Sequence, residues 1–87
     1  MSIEDIVKEF DVAMRKADKE WQRDRFLSWV YDSERYEAES WDIFHDSVEK
    51  AFNRLCSQLE ECNIRMNFSD FLELIDEWLP TLRELGI

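Results

Sequence analysis

The one histidine, His45, stands three residues after Asp42 in the run Asp-Ile-Phe-His. That run is one half of the carboxylate-x-x-histidine pattern with which helical bundles hold a pair of iron or manganese ions. Such a centre needs two copies and two further inward carboxylates, and only one copy is present. Metal binding is therefore set aside, and His45 is read as a surface or boundary residue. A cysteine–histidine nucleophilic pair fails on distance. His45 and Cys56 lie on one expected helix, separated by about 16 Å of axial rise, too far to hydrogen-bond. Cys56 and Cys62 are separated by roughly 9 Å of rise, too far for a disulfide. Both are read as reduced, mostly buried thiols.

Other chemistry falls away in the same manner. Met66–Ile75 has the vocabulary of an EF-hand exit helix, but residues 56–67 lack the alternating oxygens, central glycine and closing glutamate of a calcium loop. A phosphate-cradling loop needs several glycines, and the chain has one, Gly86. The expectation is a non-enzyme with no cofactor and no metal.

Carboxylates and aromatics remain. The chain carries 21 Asp and Glu against 11 Lys and Arg, a net charge of −10 over 87 residues. The excess is uneven. Residues 1–31 hold seven acids and six bases, residues 32–50 seven and two, and residues 51–87 seven and three. On a helical projection Asp42, Asp46 and Glu49 share one face, with Glu60 further along it. Asp70, Glu73, Glu77 and Glu84 share another, opposite an apolar stripe. Carboxylates four apart repeat at about 6 Å along the axis, comparable with the charge spacing along a nucleic-acid strand. Such rows favour positively charged partners and repel nucleic acid and anionic membranes. The basic cluster Arg15, Lys16, Lys19, Arg23 and Arg25 is interleaved with Asp18, Glu20 and Asp24, so it reads as a mixed surface.

Twelve aromatic residues (six Phe, four Trp, two Tyr) exceed what a thin core hides. Phe10, Trp21, Phe44, Phe52, Phe71 and Trp78 lie on regular stripes and are assigned to the core. Trp29, Tyr31, Tyr36 and Trp41 lie at phase breaks or helix starts and are candidate anchors for a partner, since Trp and Tyr dominate binding hot spots.

The elements that must position these groups are helices. With one Gly and one Pro, the chain lacks the turns that strands need. Ser2, followed by Asp5, caps a helix over about 2–21, with Ile3, Ile6, Val7, Phe10, Ala13, Met14, Ala17 and Trp21 on one face. After Trp21 the phase breaks. Phe26, Leu27, Val30 and Tyr31 fall on nearly the opposite face, with Trp29 beside it. Either the chain turns near residues 18–24 and starts a second helix over about 24–36, or one long helix switches the face it buries. The acidic stretch 32–40 reads as a connection, and Ser40 as the cap of a helix over 41–62. Asn67, followed by Asp70, caps a last helix over 68–85, with Phe68, Phe71, Ile75, Trp78, Leu79, Leu82 and Leu85 on its apolar stripe, kinked or restarted at Pro80 and stopped by Gly86. The expected fold is all-α: a single domain over 1–87, a compact bundle of three to four helices with short loops.

No run of about 18 apolar residues is present, and the charged start Met-Ser-Ile-Glu-Asp is unlike a signal peptide. A cytoplasmic protein is expected, in the host cytoplasm if phage-encoded. The favoured function is a small acidic inhibitor of a basic nucleic-acid-handling protein, a DNA- or RNA-binding protein or nuclease. It would mimic nucleic-acid charge, in the manner of phage anti-restriction and anti-CRISPR proteins. That is an analogy of size and charge, not of motif. The alternatives are an immunity protein or antitoxin against a nuclease toxin, and a structural adaptor or homodimer subunit. The acids Asp42, Asp46, Glu49, Asp70, Glu73, Glu77 and Glu84 would meet the partner, with no direct nucleic acid and no membrane involved.

Overall fold

A computed structural model of the chain describes residues 2–32 and 34–87, and at residues 34–37 the backbone alone. The first two thirds form an antiparallel helical hairpin, α1 (Ile3–Tyr31) and α2 (Glu34–Glu61). At about 1.5 Å per residue, such helices run for more than 40 Å, and they set the long dimension of a molecule measuring 47 × 21 × 17 Å. A third layer follows: α3 (Phe68–Leu74), a 3-10 turn (Asp76–Trp78) and α4 (Leu79–Glu84). Among the described residues there is no strand, so the expected all-α class is observed.

Local chemistry explains most of the boundaries. The Ser2 hydroxyl accepts the Asp5 amide at 3.2 Å and the Asn67 side chain accepts the Asp70 amide at 2.8 Å, so two of the three expected caps form. The hairpin ends of α1 and α2 depend on residues that tolerate left-handed backbone. Asp32 has φ 48° and Asn63 φ 53°. At the end of α2 the Ile64 amide donates to the Leu59 carbonyl (2.9 Å) and the Asn63 amide to the Glu60 carbonyl (3.0 Å). This is a Schellman stop, with Asn63 in the position glycine usually takes. The pattern recurs at Gly86 (φ 75°), where Ile87 donates to Leu82 (3.0 Å) and Gly86 to Arg83 (3.1 Å). Pro80 sits in the first turn of α4, where its missing N–H costs nothing.

Three expectations about boundaries are corrected. The helix does not stop near Trp21: α1 runs unbroken to Tyr31, so the alternative of a separate helix over 24–36 fails. Residues 34–40 are not a connection but the first turns of α2, and Ser40 is a buried helical residue rather than a cap. Helix propensity explains this, because Glu, Arg and Ala are good helix formers and nothing between Glu34 and Ser40 breaks the helix. The last helix is split at Ile75, with φ −110° and ψ 15°.

The core joins all three layers. Ile6, Phe10, Met14 and Ala17 come from α1, Phe44, Val48, Leu55 and Leu59 from α2, and Ile75, Leu82 and Leu85 from the third layer. Six side chains (Ile6, Met14, Val48, Leu55, Ile75 and Leu82) are almost wholly enclosed, each worth about 1.5–3 kcal/mol of burial. Phe52 meets Phe71 edge to face at 6.2 Å, tying α2 to α3. On the other side, the Trp78 indole donates to Asp11 (3.0 Å), and Arg15 reaches both Asp11 (2.9 Å) and Glu77 (2.8 Å). Two further corrections concern burial. Phe68, placed on the apolar stripe, is 74% exposed because it opens α3 ahead of the packed face. Cys56 and Cys62 are free and exposed, since Cys56 falls off the Val48–Leu55–Leu59 stripe and Cys62, though in phase with it, lies past the last residue of α2.

Candidate binding surfaces

The third layer covers one side of the hairpin only as far as Trp21 and Trp41. Beyond that level α1 continues with its apolar residues out of phase with the core. The continuous helix therefore turns them into solvent: Phe26 is 60% exposed, Trp29 78%, Val30 50% and Tyr31 71%. Phe26 and Trp29 lie side by side, ring centroids 6.2 Å apart. On the inward side of the same turns sits the small polar residue Ser28, which is buried. Single exposed apolar residues are ordinary, but four within two consecutive turns form a patch of the kind that marks interaction sites.

Of the aromatic residues singled out from sequence, Trp29 and Tyr31 belong to this tip. Trp41 does not. It is half-buried against Trp21 (5.2 Å, edge to face) and Phe44 (6.1 Å), while Phe44 stacks on Trp21 at 5.4 Å. It falls there because α2 begins before it, so Trp41 sits inside the helix with its stripe toward α1. Tyr36 lies outside the described side chains. In the sequence Phe26 and Val30 mark only a phase break, and that break is the signal for the tip.

The acidic rows divide. Asp42, Asp46 and Glu49 are exposed along the outer face of α2. Asp46 pairs with Lys50 at 2.9 Å, and Glu49 approaches His45 Nδ1 at 3.5 Å. The hydrogen bond to Asp46 and its charge raise the pKa of Lys50. His45 itself is anchored, its Nε2–H donating to the Leu85 carbonyl at 3.1 Å. It therefore ties α2 to the end of the third layer.

The row expected along the last helix does not exist as one face. The break at Ile75 and the 3-10 turn separate Asp70 and Glu73, exposed on α3, from Glu77 and Glu84. Glu77 is turned onto Arg15 and helps to hold the third layer. Within that contact the Arg15 hydrogen bond is the chief reason the Asp11 carboxyl is held below its usual range, with the Trp78 indole adding to it against the opposing effect of burial. Asp11 first, and then Glu77, raise the pKa of the Arg15 guanidinium.

Where the third layer ends, a groove of about 660 Å³ opens between α1, α2 and α4. Its floor is Trp21, Trp41 and Phe44, and its charged rim is Asp18, Arg25 and Glu84. Arg25 lies over the Trp21 ring, its guanidinium carbon 5.8 Å from the centroid. A second groove runs along the opposite side of the hairpin over Val12, Ala13 and Ala51, between Lys8, Arg54, Asp5 and Glu9, and carries charges of both signs. Among the described residues no group of His, Cys, Asp or Glu is arranged to hold a metal ion, and no helix is long and apolar enough to cross a membrane. Compared with known protein families, with characterised proteins and with solved structures, the chain matches none.

Proposed function

We propose that this chain is a non-catalytic binding protein that captures a basic, nucleic-acid-handling protein and blocks its nucleic-acid groove. The observation that carries the reading is the protruding tip with Phe26, Trp29, Val30 and Tyr31 in solvent on a chain of net charge −10. Exposed Trp and Tyr supply short-range affinity, because each buries a large rigid area at small entropic cost. The carboxylates supply steering and selectivity for Lys and Arg. Asp42, Asp46 and Glu49 serve that role on the outer face of α2, and Asp70 and Glu73 on α3. Glu77 is better read as part of the internal clamp with Arg15.

The test is affinity capture from the native host with the intact chain and two variants. Trp29→Ser with Tyr31→Ser removes the tip, and Asp42→Lys with Asp46→Lys reverses the α2 face. The expected result is one basic nucleic-acid-binding protein, retained by the parent chain, weakened as salt rises and lost from both variants. Its nuclease or binding activity should fall on adding the parent chain. A captured protein without a basic groove, or retention indifferent to salt and to both variants, refutes the reading. The gene neighbourhood separates the two settings for such a partner, a phage inhibitor of host defence or an immunity protein beside its toxin.

A further inference from the structure

We infer that the groove at the end of the third layer is a cradle for an arginine side chain of the partner, with Arg25 as its resident stand-in. The inference rests on the partner being basic, as proposed above, and assigns where and how one of its cations is read.

The floor is aromatic. Trp21 and Trp41 meet edge to face at 5.2 Å with planes 65° apart, so they form a corner rather than a flat stack. Phe44, stacked on Trp21 at 5.4 Å, holds that ring in place from below. Aromatic faces attract cations, and a planar guanidinium stacks on them better than a compact, strongly hydrated ammonium does. The site already shows this with its own residue. Among the described residues Arg25 has no carboxylate partner, and its recorded contact is with the Trp21 ring.

The rim is one cation short. Asp18 and Glu84 bring two negative charges and Arg25 one positive. One oxygen of Asp18 accepts from the neutral Gln22 amide at 2.9 Å, which orients the carboxylate without neutralising it. Glu84 has no ion pair among the described residues. A second guanidinium entering between Trp41 and Glu84 would find a ring to stack on and a carboxylate to accept two parallel hydrogen bonds. The cradle lies at the foot of the protruding tip, so a partner gripping Trp29 and Phe26 is placed to insert such a side chain.

The test uses the full chain and a short peptide, acetyl-Gly-Arg-Gly-Arg-Gly-amide, with the lysine and norleucine peptides as controls. Indole N–H signals in ¹H–¹⁵N spectra report the four tryptophans separately. The signals of Trp21 and Trp41 should move and saturate with the arginine peptide, while that of Trp78 stays. The lysine peptide should bind at least threefold more weakly, and norleucine not at all. Glu84→Gln should weaken the arginine peptide about fivefold or more, and Arg25→Gln should strengthen it by vacating the Trp21 face. Both positions are exposed, so neither substitution threatens the fold. Unmoved Trp21 and Trp41 signals, equal binding of arginine and lysine, or unchanged affinity in both variants would each overturn the cradle. Capture of a basic partner undiminished by Glu84→Gln would overturn it while leaving the proposed function standing. Failure to capture any basic partner strikes the proposed function and leaves the peptide titration to judge the cradle alone.

Discussion

The contact that holds the third layer against α1 should be measurable as a coupling energy between Asp11 and Trp78. The indole N–H donates to a carboxylate oxygen at 3.0 Å across 67 positions of sequence, in a half-buried site. Hydrogen bonds to a charged group contribute about 1.5–3 kcal/mol when well buried. The Asp11 side chain is 34% exposed, so water retains part of the competition and about 1–1.5 kcal/mol is the reasonable expectation. Asp11→Ala, Trp78→Phe and the double variant form a cycle that isolates this term from the ring area lost in Trp78→Phe. For a chain of this size each kcal/mol moves the melting temperature by roughly 4–8 °C. Asp11→Ala should therefore melt roughly 4–12 °C below the parent, and in the Trp78→Phe background its cost should shrink by the coupling. Acid titration gives an independent readout. The Asp11 carboxyl is held below its ordinary value of 3.8, first by the Arg15 hydrogen bond. Its folded value thus lies below its unfolded one, so its stabilising contribution is complete above that range and is lost as pH falls through the folded value. Asp11→Asn should lose stability at neutral pH and show a shallower acid limb than the parent. A coupling within about 0.3 kcal/mol of zero, or identical acid limbs, would show that the Asp11–Trp78 contact does not help to hold the third layer.

Two further outcomes separate what is packed from what is merely apolar. Leu55→Ala removes a side chain that is 1% exposed and should cost about 2–5 kcal/mol, whereas Phe68→Ser, at a position 74% exposed, should stay within about 0.5 kcal/mol of the parent by urea unfolding. Both thiols should react with a disulfide reagent in the native state, since Cys56 and Cys62 are exposed. Cys56 should react more slowly at neutral pH than an unhindered free thiol, because desolvation raises its pKa, and full protection of either thiol would contradict the exposure described.

The residues that give the fold away in the sequence are those whose information is local. Ser2 and Asn67 cap because a short oxygen-bearing side chain can reach an amide three residues on, whatever the rest of the molecule does. The Ile6–Phe10–Met14–Ala17 stripe is legible because helix geometry alone puts those residues together. Pro80 marks a helix start through its missing N–H. Much less of the candidate surfaces was legible. The phase break after Trp21 was visible, but it fitted two chains equally well, one that turns and one that continues. A helix beginning beside Trp41 would leave that ring free; the added turns from Glu34 place it against Trp21.

The sequence by itself determined an all-helical chain, its caps at Ser2 and Asn67, most of its core stripes and the excess of acid in its last two thirds, because composition and short-range spacing suffice for each. The tertiary structure decided which of those groups are free. Glu77 and His45 were drawn into contacts 62 and 40 positions away, with Arg15 and Leu85. Phe26, Trp29, Val30 and Tyr31 were left in solvent because the third layer ends before it reaches them. Whether a side chain is an anchor or a strut depends on what lies beyond its own helix, and that is a property of the packed layers, not of the residues between its neighbours.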